Sequence, residues 1–284
     1  MRTRKKILLT GASGFIGLAI YKKLIEEYLV TRTTRVKANA NAGDMLYLDL
    51  TKLETIANLS DLHDFDIVVH FGAQIGWSEK DEQSMLISNV ISTSLLARQA
   101  EKMGAKFILA SAAIVHGVST QDININSETN PDTPYGKSKW LAEELVKVAG
   151  VEYCILRIGG VFGLNGPSHL GLNLAISNAL NNIAPIVHGT GDVNRNYIYL
   201  WDVAEAVDYV IRNNITGTHL LASSETISVS SMLENVCSVL MPDLSPKKCF
   251  GKTASNQLIT PSNRLPKTRS FRNSLKDIKL RAGV

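Results

Sequence analysis

The sequence predicts an α/β protein, with a doubly wound parallel sheet and a smaller C-terminal portion. Apolar runs of strand length alternate with segments whose apolar residues recur at helical spacing, beginning with 6–10 and 15–27. A glycine-rich turn joins this first pair, as it does where a strand leads into the helix of a βαβ unit. Such alternation is typical of a parallel sheet covered by helices on both faces.

The composition is that of a globular protein and argues against several other classes. The chain has 284 residues, 45% of them hydrophobic and 20% charged, which argues against disorder and allows one large domain or two small ones. No stretch approaches the roughly 18 apolar residues of a membrane span. The basic start is followed by only three apolar residues before Gly11, so we expect no signal peptide, a cytoplasmic protein and no membrane partner.

The patterns of cysteine, histidine and charge bear on thiol oxidation, metal binding and nucleic-acid binding. Three cysteines without CxxC spacing and six histidines without ligand spacing predict reduced thiols and no metal site. The net charge is +4, but residues 260–284 alone carry seven Lys or Arg against one Asp. This basic tail lacks the interleaved aromatic residues of a base-stacking surface, so we interpret it as a solvated segment and expect no nucleic-acid partner.

The residues TGASGFIG follow the first predicted strand and place Gly11, Gly14 and Gly17 at GxxGxxG spacing. Gly11 permits the tight turn, Gly14 lets a pyrophosphate approach the backbone, and Gly17 lets the helix pack close to the sheet. The spacing alone is weak evidence, because a second match at 160–166 precedes a proline and opens no helix. The order of strand, turn and helix makes the first copy the dinucleotide-binding loop of a Rossmann-type fold.

The remaining elements continue the alternation. Further strands are predicted at 29–34, 45–48, 67–71, 107–110, 153–158, 186–188 and 218–221. Helices predicted at 89–103 and 137–148 both end near a glycine, a common stop signal. We divide the chain into a nucleotide-binding domain, 1–160, and a smaller substrate-binding portion, 161–284, interleaved with the first.

The end of the second strand bears on which dinucleotide is bound. An acidic residue there would hold the ribose hydroxyls of NAD, but the chain offers Arg32, Arg35 and Lys37 and no carboxylate until Asp44. Guanidinium groups bind phosphate well, which favours the 2′-phosphate of NADP, with NAD as the alternative. Asp49, after the third strand, either meets the adenine edge or carries a charge at a helix N-terminus.

Tyr135 and Lys139 begin a predicted helix and lie four residues apart, hence on one face. A free phenol has a pKa of about 10 and is a poor acid or base at neutral pH until a nearby ammonium stabilises its phenolate. The spacing alone is common by chance, but its position after a nucleotide loop favours a proton-transfer pair.

With these motifs the chain resembles the extended short-chain dehydrogenase/reductase family, in particular its nucleoside-diphosphate-sugar epimerases, dehydratases and reductases. The resemblance covers nearly the whole chain and rests on TGASGFIG, Asp49, VVHFGA (68–73), Asn89, SAAIVHG (111–117), PYGKSK (134–139), LRIGGVFG (156–163) and RNYIYLWDVAEA (195–206). It implies that Tyr135 is the catalytic acid or base and that Lys139 also binds the nicotinamide ribose. It further implies that Arg195 holds a substrate diphosphate, with Arg264 a weaker candidate, and that the protein is a homodimer.

The loop and the resemblance together predict one set of cofactor-binding residues. These are Gly11, Ser13, Gly14, Phe15, Ile16, Gly17, Arg32, Arg35, Asp49, Leu50, Phe71, Gly72, Ala73, Tyr135, Lys139 and Ile158.

The chain departs from the family pattern at three places. Ala112 stands where the family carries a catalytic Ser or Thr. Ser111 can substitute only if the backbone turns there, because adjacent strand side chains point to opposite faces; otherwise a water fills the space. His116 replaces the tyrosine of the motif and either binds a sugar or is structural, and Gly160 stands where many relatives contact the diphosphate.

These departures bear on the reaction. Ala113 and Ile114 replace the Asp and Glu of related 4,6-dehydratases, and Ala113 also replaces the Cys of epimerase-reductases of the GDP-fucose synthase type. Our leading hypothesis is therefore an NADPH-dependent reductase of a nucleoside-diphosphate 4-keto sugar, with Tyr135, Lys139 and Ser111 as catalytic residues. The alternatives are an NAD-dependent nucleoside-diphosphate-sugar 4-epimerase, a reductase of a non-nucleotide carbonyl, and a nucleotide sensor that has lost its chemistry.

Overall fold

A computed structural model of the chain describes residues 4–40, 43–76, 78–251 and 255–283. The strands are β1 (Lys6–Thr10), β2 (Leu29–Thr34), β3 (Met45–Tyr47), β4 (Ile67–His70), β5 (Lys106–Ala112), β6 (Asp122–Ile123), β7 (Tyr153–Ile158), β8 (Val161–Phe162), β9 (Ile186–His188), β10 (Asn194–Arg195), β11 (Ile198–Tyr199), β12 (Gly217–Leu221), β13 (Ile227–Ser228), β14 (Lys247–Cys249) and β15 (Leu258–Ile259). The α-helices are α1 (Phe15–Leu24), α2 (Glu54–Ala57), α3 (Leu59–Leu62), α4 (Glu82–Met85), α5 (Ser92–Lys102), α6 (Pro134–Lys147), α7 (Gly171–Leu180), α8 (Leu200–Arg212), α9 (Val229–Leu240) and α10 (Phe271–Ala282). A π-helix, Leu86–Ile91, joins α4 to α5.

Each predicted strand is present, and the helices differ from prediction mainly at their ends. The helix predicted at 89–103 begins as the π-helix and continues as α5. Helix α6 starts at Pro134 and so includes Tyr135, as predicted, although the apolar pattern alone places its start at 137. The Thr133 side chain accepts the Gly136 N–H, and proline suits the first helical position. The second glycine match at 160–166 opens no helix, as predicted, and α7 begins only at Gly171.

The described chain forms two compact units. The first contains residues 4–118, 126–157 and 204–219, and the second contains 119–125, 158–203 and 220–283. The predicted boundary at residue 160 lies close to one of these divisions. The chain also returns to the first unit at 204–219 and contributes 119–125 to the second.

The first unit is built on a seven-stranded sheet with the order β12-β7-β5-β4-β1-β2-β3. Strand β1 pairs in parallel with β2 and β4, so that Leu8 lies opposite both Thr31 and Val68. From β1 the chain proceeds outward to β2 and β3, then returns to place β4 and β5 on the other side. This confirms the predicted Rossmann-type sheet, whose ligands bind beyond the carboxyl ends of the strands at the point of reversal.

Helices cover both faces of this sheet. On one face, Leu8, Val68 and Phe107 are fully buried against α5 and α6 and belong to one hydrophobic cluster with Leu96 and Val146. On the other face lies α1, with Ile20 and Leu24 fully buried. Lys23 of α1 forms ion pairs with Glu205 and Asp208 of α8 at 3.1 and 3.8 Å, which sets these two helices side by side.

The described part of the second unit contains small two-stranded sheets and the helices α7, α9 and α10. The strand pairs are β6–β15, β8–β11, β9–β14 and β10–β13. Helices α7 and α9 pack through Ala175 and Leu233, together with Val187 of β9. The side-chain amide of Asn196 donates to the carbonyls of Ser223 and Ile259 and so ties separate loops together.

The basic tail folds as part of the second unit. Ser270 caps α10 by accepting the Asn273 N–H. Arg269 forms an ion pair with Asp202 at 2.6 Å, and Arg281 pairs with Asp277 at 2.8 Å. In the part of the chain that the structure describes, no helix is long and apolar enough to cross a membrane.

Candidate active site

The glycine loop lies between β1 and α1 and is shaped by close backbone approaches. Gly11 has φ of +72°, and a Cβ there would lie 2.7 Å from the backbone of Phe71 and Gly72. A Cβ at Gly17 would collide with the Gly11 carbonyl oxygen. Gly14 precedes α1 and has no side chain to cap it, so first-turn N–H groups face outward. The glycines of the loop leave its backbone accessible, so a dinucleotide pyrophosphate can approach this helix N-terminus.

Predicted cofactor residues from two other loops adjoin this one. A Cβ on Gly72 would lie 2.9 Å from the Leu50 side chain, so Leu50 packs on the backbone that follows β4. The Gly72 N–H donates to the Thr10 hydroxyl at 3.0 Å. Ser13 and Ala73 are exposed, and Phe15 and Ile16 are half-buried. Leu50, Phe71 and Gly72 therefore lie beside the glycine loop. Ile158 ends β7 and belongs to the second unit.

His70, a buried histidine that the sequence did not single out, connects the end of β1 to α5. His70 Nδ1 lies 2.7 Å from the Thr10 hydroxyl, and Nε2 lies 2.9 Å from the Thr93 hydroxyl. Thr93 donates to the Asn89 carbonyl, so it accepts from Nε2–H, and Nδ1 accepts from Thr10. Burial lowers the pKa of His70 to about 3 and keeps the ring neutral.

Asn89 links the same region to the helix that carries the tyrosine. Its side chain accepts the Gln74 N–H at 2.7 Å and donates to the Gln74 carbonyl at 2.8 Å. It also donates to the Ser138 hydroxyl at 3.1 Å, and Ser138 donates to the Tyr135 carbonyl at 2.8 Å. The loop after β4, the π-helix and α6 are thus held together by directed hydrogen bonds.

Tyr135 and Lys139 share one face of α6. The Lys139 ammonium lies 5.9 Å from the centre of the Tyr135 ring and donates to the Ala110 carbonyl at 2.8 Å. Burial lowers the pKa of Lys139 to about 8, although the Glu143 carboxylate opposes the change. Burial also raises the pKa of Tyr135 to about 12. At neutral pH, where Lys139 carries its charge, an ammonium beside a phenol favours the phenolate that proton donation leaves behind.

The structure directs Ser111 away from its predicted catalytic role. Its hydroxyl donates to a carboxylate oxygen of Glu143, which is bound by the Arg157 guanidinium at 2.7 to 3.1 Å. Strand β5 continues through Ala112, and Ser111 is buried while Ala112 is half-buried. The backbone turn that a catalytic Ser111 requires is not found in this described strand, so side-chain alternation sends the two residues to opposite faces.

His116 is a structural residue and not the sugar contact that we predicted as one alternative. Its Nδ1 lies 2.9 Å from the Glu128 carbonyl, and Nε2 lies 3.1 Å from an Arg157 nitrogen. Since arginine only donates, Nε2 accepts and Nδ1 carries the proton. Burial lowers the pKa of His116, which keeps it neutral. Both ring nitrogens are therefore used within the protein.

Arg32, predicted to bind the 2′-phosphate, has a protein partner. Its guanidinium donates two hydrogen bonds to Asp44 at 2.7 and 2.8 Å and lies 4.3 Å from the centre of the Tyr21 ring. Tyr21 also donates to Asp44 at 2.8 Å. Asp44 is the first carboxylate after β2 in the sequence, and the register of β2 and β3, which pairs Arg32 with Met45, brings it alongside Arg32.

Arg35 and Asp49 remain at the edge of the predicted adenosine site. Arg35 is exposed, just beyond β2. Burial raises the pKa of Asp49, but hydrogen bonds from Thr51 and the charges of Lys52 and Arg35 outweigh it and lower that pKa. Asp49 accepts both the N–H and the hydroxyl of Thr51 and so begins the turn that leads to Lys52. The charge of Arg35 also acts on its carboxylate.

Arg195 lies in the second unit, on the wall of a cavity of about 400 Å³. It donates to the Asn194 carbonyl at 2.9 Å, and it has no ion-pair partner among the residues that the structure describes. The Tyr197 ring fills the space beside Gly160, where a Cβ would come within 2.5 Å of it. Arg264 is exposed in the turn after β15. The cavity is lined mainly by α7, β9 and α9, through residues such as Leu172, Ala175, His188, Val193, Met232 and Leu233.

A Rossmann-type sheet, a dinucleotide loop and a tyrosine–lysine pair define a nicotinamide-dependent enzyme of the extended short-chain dehydrogenase/reductase class. The chain belongs to the NAD dependent epimerase/dehydratase family, whose model matches residues 7–222. The predicted family resemblance, enzyme class and NAD(P) cofactor are thereby confirmed.

Two curated relatives illustrate the range of the family. The chain is 31% identical over 219 residues to a putative UDP-glucose 4-epimerase of Methanocaldococcus jannaschii, covering 70% of this chain and 71% of the relative. It is 29% identical over 246 residues to dTDP-D-glucose 4,6-dehydratase of Dictyostelium discoideum, covering 75% of this chain but only 57% of that protein.

Solved structures share the fold. UDP-glucose 4-epimerase from Thermotoga maritima superposes with a TM-score of 0.81 at 21% identity, covering 98% of this chain and 99% of the other. dTDP-4-dehydrorhamnose reductase from Bacillus anthracis, in complex with NADP, gives a TM-score of 0.81 at 17% identity and covers 98% of this chain and 100% of the other. At these identities the likeness concerns the fold alone.

Proposed function

We propose that this protein is an NADPH-dependent reductase of a nucleoside-diphosphate 4-keto sugar. The observation that carries the proposal is the buried Lys139 ammonium, which lies 5.9 Å from the centre of the Tyr135 ring. Both residues belong to the unit that holds the dinucleotide loop. A buried lysine is costly for a fold, and next to a phenol it creates a proton donor.

The chain's own residues supply the acid and the charge. Bound NADPH supplies the hydride that reduces the carbonyl carbon. Tyr135 gives its proton to the developing alkoxide oxygen, and Lys139 stabilises the phenolate that remains until solvent returns the proton. Since Ser111 is bound to Glu143, we assign the second contact with the carbonyl oxygen to a water beside Ala112.

The proposed preference for NADPH rests on Arg35 and not on Arg32. Arg32 is neutralised by Asp44, whereas Arg35 is exposed beyond β2 and its charge acts on Asp49. We assign the 2′-phosphate to Arg35 and the adenine edge to Asp49 or its neighbouring amide.

The substrate assignment rests on Arg195 and its cavity. Arg195 has no carboxylate partner within the described ranges, and such a guanidinium suits a diphosphate. A largely apolar cavity of about 400 Å³ suits a nucleoside. Arg264 remains a weaker candidate for the same diphosphate. The names of the relatives, which include UDP- and dTDP-sugar enzymes, support a nucleotide sugar.

A second candidate is an NAD-dependent nucleoside-diphosphate-sugar 4-epimerase. It is favoured by the relative at 31% identity, described as a putative UDP-glucose 4-epimerase. An epimerase recycles bound NAD, whereas a reductase consumes NADPH.

Thermal-shift measurements test the proposal, because a ligand that binds only the native state raises the unfolding midpoint. NADPH and NADH are each compared alone and with UDP, GDP, CDP or dTDP. A larger shift with NADPH and one preferred nucleotide is expected. A preference for NADH with the same nucleotide shift would favour the epimerase, and no nucleotide shift would contradict both.

A further inference from the structure

Glu143 follows Lys139 by one turn of α6 and Tyr135 by two, so the three side chains share a helix face. Its side chain is fully buried. It accepts the Ser111 hydroxyl and binds the Arg157 guanidinium through both oxygens. A desolvated carboxylate remains charged only with partners of this kind.

This network joins the two elements that hold Lys139. Ser111 follows Ala110 on β5, and the Ala110 carbonyl accepts the hydrogen bond of the Lys139 ammonium. The bond from Ser111 to Glu143 therefore fixes that part of the strand against α6. Glu143 also places a negative charge one turn from Lys139, against the desolvation that burial imposes.

No other charged group around Lys139 replaces that carboxylate among the described residues. Tyr135 on the same helix is neutral, since burial raises its pKa to about 12. His70 on β4 is neutral as well, with a pKa of about 3. Arg157 on β7 is a cation and is bound to Glu143.

We propose that Glu143 is a positioning residue: held by Arg157 and Ser111, it keeps the Lys139 ammonium charged and fixed beside Tyr135. The inference rests on the proposed function, in which Lys139 acts only as a cation. Without the carboxylate, burial is unopposed and Lys139 gives up its proton at lower pH.

The pH dependence of NADPH affinity, followed by fluorescence titration, tests this without a sugar substrate. For the native protein we expect affinity to fall as Lys139 loses its proton near pH 8. Glu143→Gln/Arg157→Met removes the carboxylate and its bound cation together, so neither is left buried alone. In that variant the fall should move to lower pH by about one unit.

Three control variants separate the effect of charge from the effect of structure. Glu143→Asp keeps the carboxylate and should keep the native midpoint, whereas Lys139→Met should abolish the step. Lys147→Gln removes a half-buried cation 3.9 Å from Glu143 and should leave the midpoint unchanged.

A native midpoint in the double variant, or a step that persists in Lys139→Met, would overturn the inference. If the double variant does not fold, Ser111→Ala decides: it should weaken NADPH binding severalfold by releasing the end of β5, and unchanged binding would overturn the inference. Failure of the native protein to reduce any nucleotide 4-keto sugar would count against the proposed function alone, because the titration needs only NADPH.

Discussion

The ammonium group of Lys139 lies 5.9 Å from the centre of the Tyr135 ring, and its hydrogen bond to the Ala110 carbonyl anchors it to the central sheet. The cation is buried, and the hydrogen bond to Ala110 and the charge of the neighbouring Glu143 carboxylate oppose its desolvation. An arrangement that is costly to the fold and useful to a phenol points to function, because stability alone would favour an apolar side chain.

Lys139→Met is therefore expected to stabilise the protein near neutral pH. The pKa of Lys139 is about 8 in the folded chain and about 10.4 when unfolded, a difference of about 3 kcal/mol as an upper limit. Between these values the unfolded chain binds more protons, so native stability rises with pH and the disadvantage of the lysine fades. Urea unfolding at neutral pH and at a pH of about 10 checks this.

The gain in stability from Lys139→Met should be largest at neutral pH and should shrink at the alkaline pH. A variant that is less stable than the native protein at neutral pH would contradict the assigned cost of burying this lysine. So would a variant whose free energy of unfolding differs from that of the native protein by the same amount at both pH values.

Two glycines of the loop should respond differently to alanine. A Cβ at Gly17 would collide with the Gly11 carbonyl oxygen, so Gly17→Ala should destabilise the fold by about 1–3 kcal/mol. A Cβ at Gly14 would lie 3.2 Å from the same oxygen, so Gly14→Ala should fold but lose dinucleotide affinity at the helix terminus. Thermal unfolding and NADPH titration separate the effects, and equal loss of stability in both would refute this distinction.

The two arginines near the end of β2 provide a matched pair. Arg35→Ala should lower NADPH affinity by about tenfold or more and leave NADH affinity unchanged, because a charge-assisted contact with phosphate is lost. Arg32→Ala should leave the ratio of the two affinities unchanged and cost at most about 1 kcal/mol of stability, since its pair with Asp44 is partly exposed. If Arg32→Ala abolishes the preference and Arg35→Ala does not, the assignment of the 2′-phosphate is wrong.

The regular parts of the fold were predictable because their patterns are local. Buried parallel strands appear as short apolar runs, and the glycine loop combines a turn, a close approach and a helix start within eight residues. Side-chain partners depend on register and were missed. Arg32 finds Asp44 only because β2 and β3 pair in a particular register, and Ser111 finds Glu143 only because β5 runs on through Ala112.

The hydrogen-bond partners of His70 could not be predicted from the sequence either. A single histidine within an apolar strand gives no sign that both its nitrogens will find threonine hydroxyls from distant segments. The cavity beside Arg195 likewise has no sequence signature, because its apolar residues come from several elements and resemble ordinary core positions.

The most direct test of the proposed function is NADPH oxidation by the native protein and by Tyr135→Phe, with nucleoside-diphosphate 4-keto sugars as substrates. We expect the native protein to consume NADPH only when such a substrate is present, and Tyr135→Phe to reduce turnover by about 100-fold or more while still binding NADPH. Turnover unchanged in Tyr135→Phe would contradict the account. So would interconversion of 4-epimers by the native protein without net consumption of NADPH.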